Sequence, residues 1–468
     1  MTEGAGRARI DFPARIVSAP YFGPRSWGKE RTIALDQKPP RVVGLTGAIL
    51  MNLNAVIGSG IFALPALLFA AAGTFSPLAI LTFAVLYASL MAVVAKLTTV
   101  FRQSGGHQLF AEHAFGKAVG FQAGWLSVLA NMAGASANFH VLVSYLAAIF
   151  PFFADPLMRL ASIAVLIATF TAISMSGTAR AVRLIGIGTV LKLSPLALLC
   201  VVGFATNGFP TEVELPRFSE FESIALLLAF AFSGADLAIA AAGEMKNPRR
   251  MMRRAIFTTL GGVAVFYALI QWAYIAIAPD PGEVDAPLAA AAQVVMGDWG
   301  ALMISCAAII SVTVFQLNVF VAIPRIFYGM ARRGLLPSPI AFVSPRFQTP
   351  VAAIGMYGGI IALLALSGSF EALAVLLVSV EQTLFAMSIT ALVVMWQRND
   401  AGLRRAMDAR WLFILPFASG VVLWLLSKVS WDAALSTALY VGVGFVLYVI
   451  SRRSGVEHEG IDLPEARA

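Results

Sequence analysis

Apolar residues in this chain do not alternate along strands or stripe one face of surface helices. They continue for about twenty positions at a time, and polar residues collect in the short segments between. Twelve such runs can be marked: 43–72, 77–100, 117–150, 157–176, 182–207, 223–243, 254–278, 299–330, 351–367, 370–396, 411–428 and 432–451. A helix needs about 20 residues to cross about 30 Å of hydrocarbon, so each run reads as a candidate membrane span. The predicted fold is therefore all-α integral membrane, with about twelve helices. Residues 1–42 mix arginine, proline and aromatic residues without helical periodicity and read as a tail, as do 452–468. About forty mostly polar residues precede the first run, so the expectation is no cleavable signal and a first run that stays as a span.

Two of the runs are interrupted at mid-length. In the first, Gly58-Ser59-Gly60 places two glycines where a spanning helix should be strongest, each weakening it by about 1 kcal/mol relative to alanine. A backbone break inside a bilayer is tolerated only against other protein or a cavity. The second half-helix then begins at about Ile61, and its leading amides carry partial positive charge, suited to a carboxylate. The sixth run is interrupted at Phe230-Ala231-Phe232-Ser233-Gly234-Ala235-Asp236. By alternation it crosses in the opposite sense, so carbonyls ending its outer half would attract a cation. Matching interruptions of opposite sense point to an inverted-repeat transporter, with spans one to five (43–207) repeated as six to ten (223–397) and 411–451 added. Together the two ends suit a zwitterion.

Composition supports this reading. Of 468 residues, 59% are hydrophobic and 12% charged, about half the charged share of a soluble domain. The net charge of +8 is a matter of topology and does not point to nucleic acid, because the basic residues lie in short segments on one side. With the amino terminus inside, those segments hold Arg249, Arg250, Arg253, Arg332, Arg333, Arg404 and Arg405 among others, whereas the opposite loops hold only Arg159, Arg217 and Lys428. Both termini are then cytoplasmic and the location is an inner or plasma membrane. Cys200 and Cys306 lie in separate apolar runs, so buried inert thiols are expected, with no disulfide and no metal spacing. No nucleophile–base or metal-binding motif suggests an enzyme, and no cofactor is called for.

The polar residues within the runs are the remaining candidates for chemistry. Asn131 in the third span lies deep enough to look into a central cavity, while Asn138 and His140 lie further along, with packing expected for His140. Lys192 sits well inside the fifth run, where a charge costs at least about 2.5–3.5 kcal/mol; it is either a snorkelling lysine or a proton carrier. Glu381 is buried in the tenth run and could pair across spans or join a proton route. Gln271, Gln316 and Asn318 read as helix-to-helix ties. The segment after the second span, 105–117, resembles a short interfacial helix feeding the third, and its His107 and His113 read as solvated. Residues 279–299 include an alanine-rich amphipathic piece that could act as a lid.

Several of these stretches, in order, resemble the amino acid–polyamine–organocation permeases. They are Gly58-Ser59-Gly60-Ile61-Phe62, Phe232-Ser233-Gly234 with Asp236, and Gly243-Glu244-Met245-Lys246-Asn247-Pro248. The span-eight exit Arg325-Ile326-Phe327-Tyr328-Gly329-Met330-Ala331-Arg332-Arg333 and Arg346-Phe347-Gln348-Thr349-Pro350 belong with them. The resemblance extends over about residues 43 to 397. It implies a five-plus-five inverted repeat with discontinuous helices 1 and 6. It further implies a substrate carboxylate on the amides of Ser59, Gly60 and Ile61, and an α-amino group on carbonyls of Ile57, Phe230 and Ser233. Phe230 would be the gate, and Lys192 the proton-coupled counterpart of a sodium site. With Gly58, Asn131, Gly234 and Ala235 these form the expected substrate site, and Lys192, Asp236 and Glu381 the expected proton-coupling set. Asp236 stands where the family usually has glutamate, and Ala235 where it usually has an aromatic. Ala135 stands where arginine-selective members present an amide, which argues against a guanidinium substrate. The expected function is secondary transport of a small neutral amino acid, proton-coupled or by exchange, by a monomer or homodimer in the lipid bilayer. A polyamine or organic-cation transporter and an amino acid sensor are the alternatives.

Overall fold

The computed structural model describes residues 44–101, 106–176, 185–215, 217–235, 248–279, 285–332, 336–400, 403 and 407–453. Asp236, the Gly243–Asn247 segment of the sixth-span exit and the two tails therefore lie outside the described residues, apart from Arg452 and Arg453. Every regular element among those described is a helix. The first interrupted run becomes α1 (Leu45–Val56) and α2 (Gly60–Ala72), followed by α3 (Ser76–Val100), α4 (Gly106–Phe115), α5 (Lys117–Ile149), α6 (Pro156–Met175) and α7 (Ile185–Asn207). α8 (Phe218–Ser223) leads into the sixth run, which begins as α9 (Ala225–Phe232). Then come α10 (Pro248–Ile277), α11 (Pro287–Ala322), α12 (Pro324–Arg332), α13 (Val351–Ser367), α14 (Phe370–Arg398), α15 (Trp411–Ser427) and α16 (Trp431–Arg453).

Seven helical stretches are long and apolar enough to cross a membrane, among them Gly60–Val100, Lys117–Ile149 and Phe370–Arg398. Lys192–Asn207, Val351–Ser367 and Trp411–Ser427 are shorter apolar helices. Local chemistry sets several of the ends. Asp155 caps α6 by accepting from the amides of Leu157 and Met158, with Pro156 as the first helical residue, a position that needs no N–H donor. Ser369 caps α14 through the amide of Ala372, and Asn399 closes the helix at φ 60°, a left-handed conformation asparagine tolerates. In α11, Gly297 at φ 64° bends the helix, so the alanine-rich segment expected as a lid is its own helical leg, with Leu288 to Ala292 buried.

The centre of the bundle is α5, which packs on α4, α11 and α14, while α10 packs on α1 and α3. Small residues permit these approaches. A side chain on Gly124 would meet the carboxamide of Gln108 at 2.8 Å, which brings α4 directly against α5. At the end of the bundle carrying α8, the Glu222 carboxylate accepts from Lys428 Nζ at 2.7 Å and from the Trp424 indole at 3.2 Å. Phe221 stacks on Trp424 there with ring centroids 6.0 Å apart, fixing α8 to α15. Cys200 is buried as expected, but Cys306 is exposed on the outer face of α11.

Candidate functional site

At the first break, α1 ends with the Ile57 amide on Leu53 O and the Gly58 amide turned onto Val56 O. The chain re-forms a helix immediately, with the amides of Phe62 and Ala63 both on Ser59 O at 3.0 Å. The Ser59 hydroxyl does not cap its own helix; it donates to Asn138 Oδ1 on α5. The first amides of α2 have no acceptor within their helix, as at any helix start. The second break follows α9, where Gly234 takes φ 89°, a conformation that favours glycine. Just before it, the Ser233 hydroxyl donates to Glu381 Oε2 at 2.7 Å and lies 3.2 Å from Ala229 O.

The two breaks meet. A Cβ placed on Gly60 would stand 3.3 Å from Ala231 Cα and 3.7 Å from the Phe230 ring. Around the junction is a cavity of about 440 Å³. Its walls are Gly58, Ser59 and Gly60 from the first break, Phe230, Ser233 and Gly234 from the second, and Ser127, Asn131 and Ala135 from α5. Leu377, Glu381 and Leu384 of α14 and Phe315 of α11 complete it, and it continues to Gly106, His107 and Gln108 at α4. On the opposite side the junction is packed shut. Phe230 meets Phe370 edge-on at 5.4 Å, Phe62 meets Tyr145 at 5.7 Å, and the Tyr145 hydroxyl donates to Phe62 O at 2.7 Å. The lining therefore runs from the two breaks to α4, with these aromatic contacts on the other side of the junction.

Lys192 of α7 is 1% exposed. Its ammonium donates to Asn54 Oδ1 at 2.6 Å and to Ile57 O at 2.7 Å, placing a cation on the carbonyl end of α1, where the helix dipole is negative. Tyr267 donates to Val56 O at 3.0 Å, so α1 ends in a set of carbonyls held by side chains of α7 and α10.

The family model described as amino acid permease matches residues 43–452 of this chain. The chain belongs to the amino acid permease family. The permease is 25% identical over 437 residues to the branched-chain amino acid permease BcaP of Bacillus subtilis (strain 168), covering 88% of this chain and 93% of that one. It is 26% identical over 379 residues to the serine/threonine exchanger SteT of the same organism, covering 78% and 85%. With the methylthioribose transporter of that organism it shares 27% over 299 residues, 62% of this chain and 64% of the other. The permease is thus a multi-pass membrane protein of a transporter family whose named members do not share one substrate.

Of the residues expected to bind substrate, Gly58, Ser59, Gly60, Asn131, Phe230, Ser233 and Gly234 line the one cavity. Ile57, Ile61 and Ala235 are buried beside it. Ile57 O is already occupied by Lys192, and Phe230 O accepts from the Ser233 amide at 3.1 Å; a carbonyl's second lone pair leaves room for one further donor. Asn131 turns its Nδ2 onto Ser127 O of its own helix. The packing expected of the other polar residues is seen for His140, whose Nε2 lies 2.9 Å from Ala365 O. It is seen too for Gln271, which donates to Pro65 O and lies 3.0 Å from Ser76 Oγ, and for Gln316, which donates to Ala135 O. Asn318 instead bonds its own helix, at Val314 O.

The two loop histidines are the clear correction. His107 is 9% exposed, its Nδ1 lies 2.7 Å from Ser388 Oγ, and it lines the cavity. His113 Nε2 lies 3.0 Å from Asp400. The segment folds as α4, the short helix expected ahead of the third span, but with His107, Phe110, Ala111 and Ala114 turned inward. Asn138, two turns beyond Asn131 on one face of α5, also lines the cavity and ties α5 to the first break through Ser59.

Proposed function

We propose that the permease carries a small neutral amino acid by alternating access, coupled to protons or by exchange. The observation that supports this reading is the convergence of two helix breaks on one cavity, with α2 amides and the carbonyl end of α9 at the same place. A carboxylate on the amides of Ser59, Gly60 and Ile61 and an ammonium near the carbonyls of Phe230 and Ser233 satisfies both ends with charge-assisted hydrogen bonds, about twice as strong as neutral ones. Glu381 is the one carboxylate among the described lining residues and already accepts from Ser233, so a second cationic group on the substrate finds little to pair with. That argues for a neutral side chain and against a polyamine.

In this reading the cavity's α4 end is cytoplasmic, both termini are inside, and the state described is open inward. Residues 43–207 and 223–397 form the two inverted halves, and Phe230 against Phe370 closes the outer path. Lys192 supplies the cation that α1's terminal carbonyls need. Its deprotonation would weaken that end and so link proton release to the geometry of the amides at Ser59 and Gly60. Asp236 and Glu381 are the acids of the same route.

The test is a thermal-shift screen of the purified chain against the proteinogenic amino acids and common polyamines, followed by radiolabelled uptake into proteoliposomes with and without an inward proton gradient. A neutral amino acid that stabilises the protein and is accumulated is the expected result. Stabilisation by polyamines alone, or binding without flux, refutes the reading. Lys192→Ala that accumulates substrate on a gradient as the parent does removes the lysine from the coupling.

A further inference from the structure

The cavity contains a second ionisable side chain for which substrate binding has no use. His107 stands at the end of the cavity remote from the two breaks, its ring held by the bond to Ser388 and by edge-on contacts with Phe110 at 6.2 Å and Phe385 at 5.5 Å. Ser388 lies on α14 seven residues beyond Glu381, which is two helical turns and a rise of about 10 Å along one face. Leu384, between them, also lines the cavity. The acid next to the second break and the imidazole at the mouth are therefore two ends of one wall. The helices packed against α4 are α5 and α14. Their described charged or imidazole groups are Lys117 and His140 on α5, and Glu371, Glu381 and Arg398 on α14. Only Glu381 shares the cavity with His107. On α4 itself, Glu112 lies against Gly120 of α5, and His113 is bonded to Asp400.

We propose that His107 is the proton acceptor at the inner mouth of the cavity. The Glu381 carboxylate takes up the proton that enters with the substrate from the far side and gives it to cavity water; the relay ends on the His107 imidazole, and the imidazolium passes the proton to bulk water. Each transfer breaks one O–H or N–H bond and forms another, and both groups return to their starting state. Imidazole is the side chain suited to taking and releasing a proton in the physiological range. The bond to Ser388 keeps it at the mouth instead of leaving it to swing into solvent. This inference rests on the proton-coupled form of the proposed function.

The experiment compares the full chain with His107→Gln and Ser388→Ala in proteoliposomes, using a radiolabelled mixture of the proteinogenic amino acids. Each protein is read two ways, as exchange against the same mixture inside and as uptake driven by a pH gradient. The expected result is a ratio of gradient-driven to exchange flux lower by about tenfold in His107→Gln. That is less than the about hundredfold a positioned proton-transfer group contributes in an enclosed site, because the mouth is open to water. Ser388→Ala, which keeps the imidazole, retains most of the ratio. An unchanged ratio in His107→Gln, or an equal fall in both variants, overturns the proposal. A parent that exchanges but ignores the gradient overturns it together with the coupling; a parent that moves nothing in either mode defeats the transport reading itself.

Discussion

The two glycines of the first break allow binding to be separated from folding. A methyl at Gly58 meets no atom within 4 Å, because that direction opens into the cavity, whereas a methyl at Gly60 stands 3.3 Å from the backbone of Ala231. Gly58→Ala therefore costs the folded protein little, and because Gly58 lies in the break between α1 and α2, helix propensity does not enter. Its methyl instead occupies space where the carboxylate is proposed to sit. A steric cost of about 1–3 kcal/mol for an extra methyl in a filled site corresponds to an affinity loss of about 5- to 150-fold. Gly60→Ala presses on a main-chain atom that cannot rotate aside, so the same cost falls on the junction of the two breaks and lowers thermal stability. The assay is melting temperature in detergent alongside KM for uptake in proteoliposomes. Gly58→Ala should melt with the parent and show the raised KM, while Gly60→Ala should melt lower. A well-folded Gly58→Ala with the parent's KM would show that the substrate does not rest against the first break.

Tyr145→Phe removes the hydroxyl bound to Phe62 O, on the side proposed to face outward; at about 1 kcal/mol for the hydrogen bond, it should shift the population toward outward-open forms. An outward-facing cysteine placed beside Phe370 should then label several-fold faster with a membrane-impermeant thiol reagent. Gln271→Leu removes two buried hydrogen bonds, to Pro65 O and to Ser76 Oγ, and at about 0.5–1.5 kcal/mol each should lower the melting temperature with little change in KM. At the α8 end, the Lys428 ammonium and then the Trp424 indole hold the Glu222 carboxyl below its usual 4.5. A carboxyl with a lowered folded value adds stability that is present above its unfolded value and lost as pH falls through the folded one. The melting-temperature gap between the parent and Glu222→Gln should therefore be open at neutral pH and close in acid, and a gap independent of pH would refute it.

The amino-acid sequence by itself determined the helical membrane character, the two interruptions and the residues that can serve at them. Run length and glycine placement are local properties that a bilayer reads directly. It also determined that Lys192 and Glu381 lie where a charge needs a reason. What lay beyond it was partnership. Whether the two breaks meet, that Lys192 reaches Ile57 and Asn54, and that Ser59 turns to Asn138 and Ser233 to Glu381 depend on which helices lie side by side. Those pairs are 79 to 148 residues apart in the chain. His107 shows the same limit from the other direction. A histidine on a short helix between spans reads as solvated, and only the packing of α4 against α5 and α14 takes it out of solvent and into the cavity wall. A helix can announce that its backbone is open at one point, but the group that fills the opening comes from a neighbour that lateral packing alone selects.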